Sequence, residues 1–294
     1  MKFVVFGDAH YKETPPAMRK EGYGSQILHK ISVLQDVARK LDAKIIFTGD
    51  LFDKKHGTSL REINKLMSVI DEKLGWYAVC GNHDIQAYNQ RLETQPIGIL
   101  IEAGKIQLLD CNGINLGDGV VLTGESYHVN YETEDTFNVS VDDVSCRFHI
   151  HVTHAMIVER PAIWEHVLAE EVEQVIQCDM LVNGHNHAPF QYGEQIYNVG
   201  GLARTAKEKN YFNKTPKALI IDTDKKSAKW VDIPHDEDVW KGDIEKVVAK
   251  NQEELDEFVR EMQELEIADE DLIGTLLEGQ TEKVCEKFYS YIGE

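Results

Sequence analysis

The sequence predicts an α/β protein, because short apolar runs that each end in a polar loop alternate with stretches of helical periodicity. KFVVFGD (2–8) is an apolar run closed by Gly and Asp, and reads as a buried strand entering a loop. Residues 11–24 carry two prolines and two glycines and read as loop. Ile27, Leu28, Ile31, Leu34, Val37, Ala38 and Leu41 then fall at helical spacing, predicting a helix over 25–41. AKIIFTGD (43–50) repeats the strand-then-Gly-Asp pattern. Leu60 to Leu74 reads as a second helix through Ile63, Leu66, Met67 and Ile70, and WYAVCGNHD (76–84) as a third strand. Strands separated by helices pair in parallel, with the helices on the sheet.

The middle of the chain is richer in strands. GKIQLLD, GVVLTGES, CRFHIHVTH, MLVNGHNH, QIYNVGG, KALIIDTD and SAKWVDIP read as short strands divided by turns, with few helical patterns between them. Residues 236–294 change character again, being acidic and helical in periodicity. Ile244, Val247, Val248, Leu255, Phe258, Val259, Met262 and Leu265 form one stripe. Leu272, Ile273, Leu276 and Leu277, then Val284, Phe288, Tyr291 and Ile292, form a second. The division expected is a domain over 1–235 and an acidic helical extension over 236–294.

Composition excludes several classes. Of 294 residues, 42% are hydrophobic and 28% charged, as in ordinary globular chains. No stretch approaches the roughly 18 apolar residues of a membrane helix, and the N-terminus lacks a signal-peptide pattern, so a cytoplasmic protein is expected. The five cysteines, Cys80, Cys111, Cys146, Cys178 and Cys285, are scattered and form no CxxC, which argues against a disulfide framework or a thiolate zinc site. The net charge of −20 is uneven, with 19 acidic against 6 basic residues from Asp236 onward and 32 against 25 before it. Such acidity runs against a nucleic-acid binder, whose partner attracts Lys and Arg.

Five polar clusters follow the apolar strands: Asp8-Ala9-His10, Gly49-Asp50-Leu51-Phe52-Asp53, Gly81-Asn82-His83-Asp84, His154, and Gly184-His185-Asn186-His187. Strand C-terminal ends are where open α/β sheets bind ligands. Asp, Asn and His offer the O and N donors of Mn, Fe or Zn. A single such cluster is weak evidence, since lone histidines are commonly core or surface residues. Five in succession, each after a strand, point to a metal centre. His149 and His151 share a strand face; His154 is the expected ligand because it lies at the strand end, with His151 as fallback. His29, His56, His128, His166 and His235 belong to no pattern.

The ordered set GDAH, GDLFD, GNHD, VTH, GHNH resembles the calcineurin-like metallophosphoesterase superfamily over roughly residues 1–235. That resemblance implies a two-sheet β-sandwich flanked by helices, with a dinuclear site at the sheet edge. It implies one ion held by Asp8, His10, Asp50 and His187, a second by Asp50, Asn82, His154 and His185, and Asp50 between them. Mn2+ is the expected ion, with Fe or Zn also suited. Two such ions clamp a phosphate and activate water. His83 would then lie beside the ions and protonate the leaving oxygen or stabilise phosphoryl charge, with Asp84 orienting His83 and Asp53 serving a ligand histidine. A helix N-cap is the plain structural role for either aspartate.

Lys54-Lys55 and GNHD depart from the Arg-Gly and GNHE of protein serine/threonine phosphatases. GDLFD and GNHD look more like the SbcD-type DNA-repair nuclease branch, although many relatives there carry histidine at the position of Asp53. The chain is shorter than typical members, so a reduced or missing DNA-capping domain is what the resemblance leads one to expect. The resemblance implies DNA as substrate, an SbcC-like ABC ATPase gripped by the C-terminal helices, and permits a homodimer. One basic stretch, Arg204 to Lys217, interleaves Arg204, Lys207, Lys209, Lys214 and Lys217 with Tyr211 and Phe212, and is a candidate for phosphate contact and base stacking. Small-molecule or cyclic-nucleotide phosphodiesters, or nucleotides, are the alternative substrates.

Overall fold

A computed structural model describes residues 1–54, 57–85, 91–129, 134–141, 145–162, 165–204 and 214–242. Both predicted stripes of the tail and the middle of the 204–217 stretch lie outside them.

Two six-stranded sheets face each other. The first is built from β1 (Lys2–Phe6), β2 (Lys44–Phe47), β3 (Trp76–Ala78), β4 (Gln107–Leu108), β13 (Lys217–Asp222) and β14 (Ser227–Asp232), in the order β14-β13-β1-β2-β3-β4. β1, β2, β3 and β4 run parallel, and β13 joins β1 antiparallel. The second contains β5 (Ile114–Asn115), β6 (Val120–Glu125), β7 (Phe148–Thr153), β10 (Met180–Asn183), β11 (Phe190–Tyr192) and β12 (Ile196–Asn198), in the order β11-β12-β10-β7-β6-β5. β8 (Ile157–Val158) and β9 (Val167–Leu168) form a separate parallel pair. The two-sheet arrangement expected from the resemblance is therefore present.

Alternation along each strand explains the layers. Phe3, Val5, Ile46 and Leu219 of the first sheet meet Leu122, Ile150, Val152 and Val182 of the second, and this inner face is the sandwich core. Val4, Phe6, Ile45 and Phe47 point the other way, against α1 (Tyr23–Leu41), α2 (Leu60–Val69) and α3 (Pro96–Glu102). Because both faces are covered, KFVVF and KIIF read as continuous apolar runs. The second sheet is covered through Leu181 and Ile196 by Ala169 and Val172 of α5 (Ala169–Val175) and by Phe137 of the short α4 (Glu134–Phe137). α1 begins two residues earlier than its periodicity indicates and ends where Asp42 turns left-handed at φ 51°, its N–H returning to Ala38 O. The second predicted helix stops at Val69 and resumes only as a short 3-10 turn, Glu72–Leu74.

The first seven residues of the expected extension are laid onto this body. Lys20 N donates to Val239 O and Lys241 N to Met18 O, so 239–241 pairs with 18–20. The Arg19 guanidinium lies between the Tyr23 and Trp240 rings, 5.4 and 5.0 Å from their centres. No helix among the described residues is long and apolar enough to cross a membrane. Cys80, Cys111, Cys146 and Cys178 form no disulfide.

Candidate metal centre

The ligand loops are set by backbone handedness. Parallel strands deliver Asp8, Asp50 and Asn82 from the first sheet and His154, His185 and His187 from the second to one edge of the sandwich. Of the seven described non-glycine residues with positive φ, four carry candidate ligands: Asp8 (47°), His10 (42°), Asp50 (57°) and His185 (72°). Asp and His tolerate this region better than most residues. The loops also hold one another, Asp8 N donating to Gly49 O and His10 N to Asp50 O. The glycines are steric necessities: a Cβ on Gly81 would lie 2.1 Å from Asp50 Oδ1, and one on Gly49 2.4 Å from His154 Nδ1.

Three groups of potential ligand atoms converge: Asp8, His10 and His187; His10, Asp50 and His83; Asp50, His154 and His185. His10 Nε2 and His187 Nε2 are 3.0 Å apart. Asp50 Oδ2 lies 3.6 Å from His10 Nε2 and 3.4 Å from His154 Nε2, between the outer groups. Asn82 Oδ1 is 3.3 Å from His154 Nε2, and His187 Nε2 is 3.5 Å from Asp8 Oδ1. The residues fit cations. Asp8 Oδ2 is buried without a hydrogen-bond partner, an arrangement that costs free energy unless a cation or donor satisfies it.

Electrostatics point the same way. Burial pushes the Asp8 carboxyl well above the usual carboxylate range. Burial also opposes ionisation of Asp50, but the charges of His154, His83 and His10 outweigh it and hold Asp50 well below that range. His154 feels the reciprocal effect: burial disfavours its charge, Asp50 more than restores it, and its pKa rises to about 9. Burial, reinforced by His154, holds His185 well below its ordinary value, keeping it as the neutral imidazole that ligates metals.

Positioning contacts differ from expectation in places. His154 Nδ1 donates to Thr48 O at 2.6 Å, which leaves Nε2 for the centre. His83 Nδ1 donates to the main-chain oxygen of Asp53 at 2.8 Å, while the Asp53 carboxylate takes Lys12 Nζ at 2.7 Å. Asp84 does not reach His83. Its buried carboxylate accepts from Leu51 N, Phe52 N and Gly81 N at 2.9, 3.2 and 3.0 Å, tying the Asp50 loop to the Asn82 loop. His83 itself stands edge-on to His10, ring centres 4.7 Å apart, and within ligand reach, where the resemblance kept it off the ions. His149 and His151 share one strand face, as alternation requires, but turn away from the centre. Thr123 Oγ1 is 2.7 Å from each ring, and His151 Nε2 donates to Thr136 O at 2.9 Å.

Sequence reading missed three residues. Asn183, buried at the end of β10, accepts from Thr153 Oγ1 and Ala155 N and donates to Ala155 O, so it locks the His154 and His185 loops together. An Asn ending an apolar strand directly before GHNH was the available signal. Tyr23 Oη donates to His10 O at 3.0 Å. Tyr127 packs its ring 5.6 Å from that of His185. Arg204, expected to meet substrate from a basic loop, is instead only 6% exposed and donates to Asp236 O.

The sequence profile of the calcineurin-like phosphoesterases matches residues 1–189, and the chain belongs to that family. Its members are hydrolases that act on phosphoesters and generally bind two divalent metals. No curated protein matches the chain. Among solved structures it is similar to TT1561 of Thermus thermophilus, at 10% identity and TM-score 0.49, covering 79% of this chain and 99% of that one. It is also similar to the NAD nucleotidase (NadN) of Haemophilus influenzae, at 14% and 0.48, covering 86% and 56%. A hypothetical protein, also from Thermus thermophilus, follows at 10% and 0.44, covering 80% and 100%.

Proposed function

We propose that this chain is a two-metal phosphodiesterase acting on DNA, of the SbcD type. The observation that carries the metal assignment is Asp50, placed between the Asp8–His10–His187 group and the His154–His185 group. Asp8, His10, Asp50 and His187 would hold one ion, and Asp50, Asn82, His154 and His185 the other. When bound, the ions supply charge that polarises a phosphate and activates water.

The protein's own groups do the rest. Asp50 stays ionised because three imidazoles surround it. Thr48 fixes the tautomer of His154. His83, oriented through Nδ1 by the Asp53 carbonyl, presents Nε2 towards the reacting phosphate, and in the imidazolium form, with both nitrogens protonated, gives the Nε2 proton to the leaving oxygen. The DNA assignment rests on the form of the GDLFD and GNHD motifs. The acidic composition favours a second reading, hydrolysis of a small phosphodiester or nucleotide, which needs no basic surface. Residues 243–294 lie outside the described structure; their two amphipathic stripes support an ABC-type ATPase as partner.

One panel tests these readings: single-stranded DNA, duplex DNA, bis-p-nitrophenyl phosphate and cyclic nucleotides, each with Mn2+ and with EDTA. We expect EDTA to abolish turnover and Mn2+ to restore it, with Asp50→Ala the most damaging ligand substitution. Equal rates in EDTA reject the metal assignment, and turnover of cyclic nucleotides but not DNA selects the second reading.

A further inference from the structure

Three neighbouring strands of the second sheet end alike, on a small polar residue. β7 closes on Thr153, β10 on Asn183 and β12 on Asn198. Register sets Thr153 beside Asn183 and Asn183 beside Asn198. Side chains in register share a face, here the outer one, where Leu181 and Ile196 meet α5. All three residues are 0% exposed. A buried row of polar side chains costs free energy unless its groups are paired.

The pairing runs in one direction. Thr153 Oγ1 donates to Asn183 Oδ1 at 2.8 Å, and Asn183 Nδ2 to Asn198 Oδ1 at 2.8 Å. Asn198 Nδ2 then donates to Asn186 O and Ala188 O, at 2.5 and 2.7 Å. Asn183 also accepts from Ala155 N at 3.0 Å and donates to Ala155 O and Gly184 O, at 2.9 and 2.7 Å. Main-chain groups fix how both amides lie. Ala155 N can only donate, so it meets Asn183 Oδ1; the carbonyls can only accept, so they meet the two Nδ2 groups. The row thus ends on the main chain at 155, 184, 186 and 188, immediately around His154, His185 and His187. The GHNH loop reverses at His185, with φ 72°, which leaves these carbonyls outside any strand ladder. The amides supply the donors that the ladder cannot.

We propose that Thr153, Asn183 and Asn198 are positioning residues for the metal centre. Their row sets the mutual spacing of His154, His185 and His187. It acts on both ion positions, because His187 belongs with Asp8 and His10 while His154 and His185 belong with Asp50. The inference rests on the two-metal reading of that centre.

Mn2+ titrated calorimetrically into the metal-free full chain reads affinity without turnover. Asn198→Asp keeps the shape but turns an oxygen toward the carbonyls of 186 and 188, and affinity should fall about 10–100-fold. Thr153→Val removes only the first donor of the row. Its affinity should fall about threefold to tenfold, and Thr153→Ser, which restores the hydroxyl, should recover it. Thermal melts in EDTA show which variants are folded at the titration temperature; if Asn198→Asp is not, the Val and Ser pair at 153 decides. Folded variants that melt lower in EDTA yet bind Mn2+ like the unaltered chain give the row a purely structural role and overturn the proposal. Equal affinities for Thr153→Val and Thr153→Ser overturn it as well. An unaltered chain that takes up no Mn2+ removes the two-metal reading itself, and this inference with it.

Discussion

Gly81 shows how tightly single positions are specified. A methyl group there meets the Asp50 carboxylate and main chain together, and neither can retreat without moving a ligand. Gly81→Ala is expected to retain secondary structure by circular dichroism but to weaken metal binding about 10–100-fold, the usual cost of disturbing a ligand's support. Unchanged metal content by mass spectrometry speaks against that role. His151 makes a pH prediction. Burial lowers its pKa to about 4, whereas the unfolded imidazole titrates near 6.5. Between those values the unfolded chain binds more protons, so stability is complete above about pH 6.5 and is lost as pH falls toward 4, by on the order of 3 kcal/mol. His151→Gln should flatten that slope in urea titrations; an unaltered slope excludes His151 as its source. At this scale the candidate ligands were legible because each follows an apolar run. The roles of Asp84 and Thr48 were not. Their partners are main-chain or side-chain groups on other loops, which leave no periodic trace in sequence.

Among the elements, α2 carries a complete capping box. The Ser59 hydroxyl accepts from Glu62 N, and the Glu62 carboxylate accepts from Ser59 N. Glu62 also accepts from Glu13 N, tying the helix start to the loop beyond the GDAH strand. Ser59→Ala should cost about 1 kcal/mol, and Glu62→Ala more, because it frees two main-chain donors. Thermal melts of both variants check the order, and a smaller loss for Glu62→Ala contradicts it. The strands flanking the ligands were readable, since burial on both faces makes them continuous apolar runs. α3, α5, β5, β8, β9 and β11 were not. At two to seven residues they span too few turns or alternations to establish a period.

For the whole molecule, local patterns do not contain the order β14-β13-β1-β2-β3-β4. The last two strands return to the first one from the far end of the described chain, and only the resemblance indicated a sandwich. Val239 and Trp240 are 3% and 9% exposed, so the described body continues past the point where acidity begins. A chain ending at residue 242 should therefore keep the melting temperature of the full protein's catalytic unit and hydrolyse bis-p-nitrophenyl phosphate. One ending at 235 loses the Trp240 ring over Arg19 and should melt several degrees lower, roughly what burial of one large aromatic contributes. Equal melting temperatures for the two truncations contradict this.

The left-handed ligands have a further consequence for anyone who would move this centre to another scaffold. Asp8, His10, Asp50 and His185 aim their side chains through a backbone hand that costs roughly 1 kcal/mol each. Copying the donor residues onto a different sheet edge would transplant the chemistry of the atoms but not their direction. The smallest portable unit is a strand with its glycine, its reversed residue and the loop hydrogen bonds that hold the reversal in place.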